Sequence, residues 1–277
     1  MRASDAFTIG MMQHASHHAN DPGFSALIPQ LLIIVISVLY LLGSFSIRDS
    51  KGGWKSWRTL SFITGALLLS ISMLPSVMQW AHQNLVGHMV QHLLIGMYGP
   101  LFLVLAAPIT LALKALPVNT ARRITTILRS RLFYVLSHPV TALLLNMGGM
   151  YLLYLTPLYD KSLTTPLLHY FIHFHFLAAG FLFTWSMIGQ EPVAKRPAFS
   201  IRVFVLFISI AAHAFLSKFM YAYLYPINSP HSADQIREAA KLMYYWGDLS
   251  ELLLVIVLFG MWYKKRSAAV PAAPMLP

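Results

Sequence analysis

Long apolar segments alternate with short polar ones along most of the chain. Seven of these segments approach the roughly 20 residues that an α-helix needs to cross a bilayer. Their predicted limits are Ala26–Ile47, Trp57–Gln79, Leu85–Ala107, Leu132–Leu155, Pro166–Ile188, Ile201–Tyr225 and Lys241–Tyr263. Because no internal repeat and no long linker divides them, the pattern predicts one all-α, polytopic membrane helical bundle with seven transmembrane helices. The Gly99-Pro100 pair predicts a kink within the third span.

The composition supports a membrane protein. Of the 277 residues, 57% are hydrophobic and only 10% are charged, whereas ordinary soluble domains carry roughly 25% charged residues. We therefore predict a His- and Met-containing external tail at residues 1–25, a transmembrane domain at 26–263 and a basic cytoplasmic tail at 264–277. Residues 1–20 lack the apolar core of a secretory signal, so we expect the first apolar run to remain as a membrane anchor.

Basic residues are concentrated in alternate connections and therefore predict the orientation of the bundle. The basic connections contain Arg48, Lys51, Lys55 and Arg58; Lys114, Arg122, Arg123, Arg129 and Arg131; Lys195, Arg196 and Arg202; and Lys264, Lys265 and Arg266. The positive-inside rule then places the N-terminus outside and the C-terminus in the cytoplasm. The formal net charge of +11 thus comes from short loops, which argues against a nucleic-acid partner.

Two histidine pairs are the main candidates for chemistry. His88 and His92 lie in the third span, and His169 and His173 lie in the fifth. A spacing of four residues puts both imidazoles of a pair on one helix face, about 6 Å apart along the axis. The predicted topology puts both pairs within roughly 10 Å of the outer interface. Since ionisable residues are costly in a bilayer, the four imidazoles are a candidate transition-metal site or a source of haem ligands.

The chain contains no cysteine, so soft-metal chemistry here depends on histidine and methionine. One or two methionines could add thioether ligands, although methionine is mainly a packing residue. The candidates are Met89, Met97, Met147, Met150, Met220 and Met243. The N-terminal tract also offers possible metal-catching side chains, namely Met11, Met12, His14, His17 and His18. That tract also resembles a solvated tail, which its composition favours over a metal-catching role.

Several other polar residues have structural as well as functional interpretations. We expect His175 to pack or to form a hydrogen bond within the bundle, and His138 to cap a helix before Pro139. His213, with Lys218 and Tyr221 after it, fits either a polar relay or a buried hydrogen bond. Asp248 and Glu251 are candidate partners of a ligand histidine, or of a charge such as Lys218.

Several motifs together resemble one family. The stretch GHMVQHLLIGMYGPLFLVLAAPITLALKALP, residues 87–117, resembles the HM-x-QH-LL…P-LL…GAP signature of CtaG-type cytochrome c oxidase assembly factors. Further matching segments follow in the expected order: SHPV at 137–140, PLYD at 157–160, LLHYFIHFHFLAAGFLFTWSMIG at 167–189, LYP at 224–226, ADQ at 233–235 and LMYYWGD at 242–248. The resemblance runs from about His82 to Asp248.

The resemblance implies a multi-pass protein of the bacterial plasma membrane that helps a haem–copper cytochrome c oxidase to mature, with oxidase subunits and the lipid bilayer as partners. Our first hypothesis is a nonenzymatic copper chaperone in which His88, His92, His169 and His173 hold the ion before its delivery. The alternatives are a haem-binding electron carrier or haem chaperone, a metal or proton transporter, and a scaffold whose histidines only join helices. No nucleophile–base set or phosphate loop indicates an enzyme.

Overall fold

The structure is a computed structural model that describes residues 22–48, 53–192 and 196–267, with side chains from residue 28 onward. This part of the chain is helical and contains no β-strand. The elements are α1 (Pro22–Ser46), α2 (Ser56–Ser72), α3 (Pro75–Gln83), α4 (Leu85–Leu93), a π-helical turn (Leu94–Tyr98), α5 (Gly99–Leu105), α6 (Pro108–Ala115), α7 (Val118–Leu128), α8 (Arg131–Leu136), α9 (Pro139–Leu155), α10 (Leu158–Thr164), α11 (Pro166–Ile188), α12 (Phe199–Tyr223) and α13 (Ala233–Ser267).

Five segments of the described chain are long and apolar enough to cross a membrane as single spans: α1, α4 continued through α5, α11, α12 and α13. Two bent pairs also qualify, α2 with α3 at 56° and α9 with α10 at 79°. The all-helical, multi-span architecture predicted from the sequence is therefore confirmed. The number of spans reaches the predicted seven when each bent pair counts as one.

Prolines explain both bends. Leu74 and Thr156 have extended backbone conformations, and each directly precedes a proline. A proline ring disfavours the helical conformation for the residue before it, and the proline itself has no N–H to donate. Each helix therefore stops, and a short helix leaves at a new angle. The two short helices, α3 and α10, lie at the same end of the bundle as the histidine pairs.

The kink predicted in the third span takes the form of a π-helical turn just before Gly99-Pro100. The N–H of Gly99 donates to the carbonyl of Leu94, five residues back. A wider turn accommodates a proline ring that would otherwise strike the preceding turn. On the facing helix α11, a Cβ at Gly180 would overlap the carbonyl oxygen of Gly96. Gly180 thus allows α11 to touch the backbone of the π-helical turn.

Two predicted boundaries need correction. The fourth span was expected to begin at Leu132, but its long helix begins at Pro139, and α8 is a separate element. The break occurs because His138, which precedes Pro139, is extended. The seventh helix begins at Ala233 rather than at Lys241 and continues to Ser267. Its first turns are polar, so a search for apolar segments in the sequence does not detect them.

The connections meet at two opposite ends of the bundle. At the histidine end, the Tyr159 hydroxyl on α10 bonds His231 in the connection from α12 to α13 at 2.8 Å. At the basic end, Phe199 at the start of α12 stacks on Trp262 of α13, with ring centres 5.0 Å apart. The basic connections therefore lie opposite the histidines. Which end faces the exterior stays a prediction from the positive-inside rule.

Candidate metal centre

Helices α4 and α11 present the four predicted ligands to the interior of the bundle. Asn84 caps α4 by accepting a 2.8 Å hydrogen bond from the backbone N–H of Val86. Pro166 occupies the first turn of α11. A backbone N–H in the first turn has no acceptor within the helix, so proline is well tolerated there. The four imidazoles are buried, with exposed fractions between 2% and 4%: His88, His92, His169 and His173.

Three of the four predicted ligands form a continuous group of rings. The ring centres of His169 and His173 are 4.1 Å apart, and those of His173 and His88 are 6.5 Å apart. The group therefore joins α4 to α11, as the matched depth of the two pairs predicted. Among the described residues, these three histidines do not bring three nitrogens within 4.8 Å of one another, so a shared ion would require the rings to move closer together.

A fifth histidine extends this group, and the sequence did not single it out. His82 on α3 lies with its ring centre 4.2 Å from that of His169. Its Nδ1 is 2.8 Å from the carbonyl oxygen of Met78. If Nδ1–H donates to that carbonyl, Nε2 carries the lone pair that a metal needs. No spacing motif marks His82, because the bend before α3 is what turns it toward α11.

His92 lies at the other side of the group and has different neighbours. Its ring contacts Phe176 at 4.5 Å and Tyr154 at 6.4 Å between ring centres. It is also within electrostatic range of both His173 and His213. We use the name histidine column for the five side chains that run inward from α3: His82, His169, His173, His88 and His92.

Most ring nitrogens in the histidine column have no hydrogen-bond partner within the described part of the chain. Both nitrogens of His88, His92 and His173 are buried and unpartnered, as is Nε2 of His169. Native proteins pair the great majority of buried polar atoms. Burial of a polar group without a partner costs roughly 1–3 kcal/mol on mutational scales. These unpaired nitrogens are therefore available to a ligand.

Tyrosines surround the column. The ring of Tyr159 is 5.0 Å from that of His88, and the ring of Tyr154 is 6.1 Å from it. Tyr159 also bonds His231 at the histidine end. Burial lowers the pKa of His231, so its ring is neutral at pH 7 and available as a donor or acceptor. Tyr159 thus contacts both His231 and His88.

The candidate methionines mainly serve packing. Met89 is fully buried, and its sulfur is 3.9 Å from the Tyr154 hydroxyl. The hydrophobic core cluster at the histidine end contains most of the others, namely Met147, Met150, Met220 and Met243. Met97 is also buried. These positions agree with the expectation that methionine fills space in the bundle.

Two of the minor histidine predictions are confirmed. Nε2 of His175 lies 3.0 Å from the carbonyl oxygen of Leu145, which is a hydrogen bond within the bundle. His138 caps α9, where its Nδ1 lies 3.4 Å from the backbone nitrogen of Val140. His213 lies instead beside Asp248 and Glu251, between α12 and α13. The N-terminal tract with Met11, Met12, His14, His17 and His18 is outside the described residues.

Fold and site together define a class: a multi-span membrane protein with a histidine-rich centre buried near one end of its helical bundle. The chain belongs to the cytochrome c oxidase caa3 assembly factor family (Caa3_CtaG), whose model matches residues 38–265. This confirms the family resemblance seen in the sequence.

Similar curated proteins come from mycobacteria. An uncharacterized protein of Mycobacterium bovis and one of Mycobacterium tuberculosis are each 33% identical to this chain over 189 residues. An uncharacterized protein of Mycobacterium leprae is 32% identical over the same length. Each match covers 66% of this chain but only 29% of the relative. No solved structure matches the chain.

Proposed function

We propose that this protein is a nonenzymatic assembly factor of the bacterial plasma membrane that binds copper in the histidine column and delivers it to a cytochrome c oxidase. Family membership supports the role in oxidase assembly. The copper step is our inference from the buried imidazoles. Neutral imidazole is a good ligand for copper in either oxidation state.

The observation that carries the proposal is the set of unpartnered nitrogens on His88, His169 and His173. These three rings come from two different helices and form one group. A scaffold that used histidine only to join helices would pair the nitrogens with carbonyls, as His175 does with Leu145. A bound ion satisfies the nitrogens and offsets the cost of burying them.

The packing around the column favours a bare ion over haem. Tyr159 and Tyr154 pack edge-on against His88, and Phe176 packs against His92. Tyr154, Tyr159 and Phe176 are at most 1% exposed. A porphyrin plane between α4 and α11 would have to displace these aromatic rings, whereas an ion needs only a shift of the imidazoles toward one another.

The arrangement also suits transfer of copper. The column offers more imidazoles than one ion requires, so a ligand can leave as another binds. His82, at the histidine end, is only partly buried and gives the ion a first contact. Delivery from this end requires that it face the exterior, as the basic connections at the opposite end predict.

The direct test measures copper binding by the purified full-length protein. We expect a tightly held copper ion in the unaltered protein, measured by elemental analysis and by competition with a Cu(I) chelator. Changing His88, His169 and His173 to alanine should lower the affinity at least about 100-fold, because all three ligands of the shared group are lost. In a host that lacks its own copy, the triple variant should also fail to restore oxidase activity.

A matched control uses histidines with structural roles. His138→Ala and His175→Ala together remove two imidazoles outside the column and should leave copper binding intact. Unchanged copper affinity in the triple variant would rule out the proposed site. A red preparation with a Soret band from the unaltered protein would instead support haem binding.

A further inference from the structure

A second group of metal-binding side chains lies between α12 and α13, apart from the histidine column. His213 projects from α12, and Asp248 and Glu251 project from α13 with a spacing of three residues. That spacing puts both carboxylates on one face of the helix. Each residue offers one ligand atom, and these three atoms all lie within 4.8 Å of one another.

The donor atoms are buried and short of partners. His213 is fully buried and Glu251 is 3% exposed. Both ring nitrogens of His213, Oε2 of Glu251 and Oδ1 of Asp248 lack a hydrogen bond to any described residue. Nδ1 of His213 is 4.0 Å from Oε2 of Glu251, which is too far for a hydrogen bond. The three side chains thus surround a common point without satisfying one another.

The surrounding backbone fixes this geometry. A Cβ at Gly247 would overlap the ring of His213, so the imidazole lies directly on the backbone beside Asp248. The hydroxyl of Ser209, one turn before His213 on α12, donates to Oε1 of Glu251 at 3.1 Å. Oε1 is therefore held in place while Oε2 stays free. Such supporting contacts orient the ligands in metal sites.

The nearby basic side chain does not neutralise the carboxylates. Lys218 is within electrostatic range of Asp248, but its ammonium lies over the ring of Tyr244, 5.2 Å from the ring centre. Among the described residues, no Lys218–Asp248 contact within 4.0 Å is present. An unpaired carboxylate pair inside a membrane bundle is costly, and a cation between the two groups would remove that cost.

The donor set indicates the kind of cation. One neutral imidazole and two carboxyl groups that have both lost their protons carry a net charge of −2, which a divalent ion cancels. Nitrogen and carboxylate oxygen suit divalent transition metals such as Zn²⁺ or Cu²⁺, whereas Cu⁺ favours softer ligands. A cavity of ≈ 20 Å³ reaches Glu251 and is also lined by Asn146, Thr184 and Ser250. That volume holds one water molecule beside Glu251.

We propose that His213, Asp248 and Glu251 form a second metal site, selective for a divalent transition-metal ion and independent of copper in the histidine column. Modest side-chain rotations bring the three donor atoms to about 2 Å from one ion, the usual distance for zinc. The site would hold α12 and α13 together inside the bundle.

Zinc binding by the purified full-length protein tests this proposal. The starting variant removes the other candidate ligands by alanine substitution of His14, His17, His18, His82, His88, His92, His169 and His173. We expect it to retain one Zn²⁺ per chain after gel filtration. Adding Asp248→Asn and Glu251→Gln should weaken Zn²⁺ binding at least about 10-fold. The matched control replaces exposed acids on the same helix, Asp234→Asn and Glu238→Gln, and should bind Zn²⁺ like the starting variant.

Two further measurements keep the proposal falsifiable if the substitutions impair folding. X-ray absorption of the zinc-loaded starting variant should show oxygen and nitrogen neighbours that include one imidazole. Gly247→Ala, which keeps every ligand but displaces His213, should also weaken zinc binding. Either a starting variant that elutes as a folded protein in gel filtration but retains no zinc, or a zinc spectrum with no imidazole, overturns the proposal. Because the column is already removed, failure here leaves the copper proposal untouched, and failure of copper binding leaves this site untouched.

Discussion

The two ends of the bundle differ in the hydrogen bonding of their buried polar side chains. At the basic end, Glu191 is fully buried in the connection between α11 and α12. Its carboxylate accepts hydrogen bonds from the backbone N–H groups of Ile109 and Thr110, at 3.0 and 2.7 Å, and a short one from the Thr110 hydroxyl. At the histidine end, His88 and His173 are equally buried but have no such partners.

This difference distinguishes a buried side chain that stabilises the fold from buried side chains that are free to bind a ligand. Glu191 ties the start of α6 to the connection after α11, and Arg196 donates to its backbone carbonyl at 2.8 Å. A carboxylate at a helix N-terminus with every bond formed stabilises the fold. The imidazoles of the column add little to stability while they lack partners. We expect substitutions at the two ends to affect different properties, namely stability at one end and metal binding at the other.

The largest effect on stability should come from Glu191→Ala. It leaves the partly buried N–H groups of Ile109 and Thr110 without their acceptor, which should cost about 2–4 kcal/mol. Unfolding of the detergent-solubilised protein, followed by circular dichroism, measures the loss. Thr110→Val is the graded control, since it removes only the hydroxyl bond and should cost about 1 kcal/mol. Equal losses in the two variants would show that the backbone bonds contribute little.

A smaller effect is expected where α11 meets the π-helical turn. Gly180→Ala forces the new methyl group against the carbonyl oxygen of Gly96, and overpacking of this kind typically costs 1–3 kcal/mol. Because α11 carries His169 and His173, the same change should also weaken copper binding. Gly148→Ala is the control, since a Cβ at Gly148 meets no atom within 4 Å. If Gly180→Ala binds copper normally, the close contact does not position the histidines.

Two neighbouring histidines on α11 provide the sharpest comparison. His173→Leu should change the free energy of unfolding by less than about 1 kcal/mol, because it removes two unpaired polar atoms. It should nevertheless weaken copper binding at least about 10-fold. His175→Leu should show the reverse, with copper binding kept and about 1 kcal/mol lost with the bond to Leu145. Denaturation and chelator competition on the same preparations measure both properties.

The smallest expected effect is the change of folding stability with pH. Burial raises the pKa of Glu191 above its usual value of 4.5, even though the bonds from Ile109 and Thr110 act in the opposite direction. The folded protein then binds this proton more tightly than the unfolded chain does. Stability from this group should therefore fall as pH rises from about 4.5 through the raised pKa. Glu191→Gln should flatten that part of the profile, measured as the unfolding midpoint against pH.

The sequence predicted the span-scale architecture well because bilayer thickness dictates the length of apolar runs. It also predicted one shared group of His88, His92, His169 and His173, from the four-residue spacing within each helix and the matched depth of the two spans. The ring contacts join His88, His169 and His173, whereas His92 packs against Phe176 and Tyr154. His82 escaped notice because its contact with His169 depends on the 56° bend between α2 and α3. Tertiary contacts of this kind leave no periodic pattern.

The second cluster shows the same limit. The sequence shows His213, Asp248 and Glu251 as polar residues inside apolar spans. It offers Asp248 and Glu251 as partners of a ligand histidine or of Lys218, and does not show that they meet His213. Their convergence depends on how α12 packs against α13, and on the close approach that Gly247 permits. A single glycine next to an aspartate is common in sequences, so the WGD segment alone does not reveal a site.

The π-helical turn at Leu94–Tyr98 has a consequence for the register of the whole third span. Such a turn contains one residue more than an α-helical turn would, and one residue rotates a helix by about 100° and advances it by 1.5 Å. Deleting one residue there would swing His88 and His92 away from α11 and toward another neighbour. A single extra residue thus sets the rotation of one half of this span relative to the other. It thereby sets the direction in which the imidazoles face.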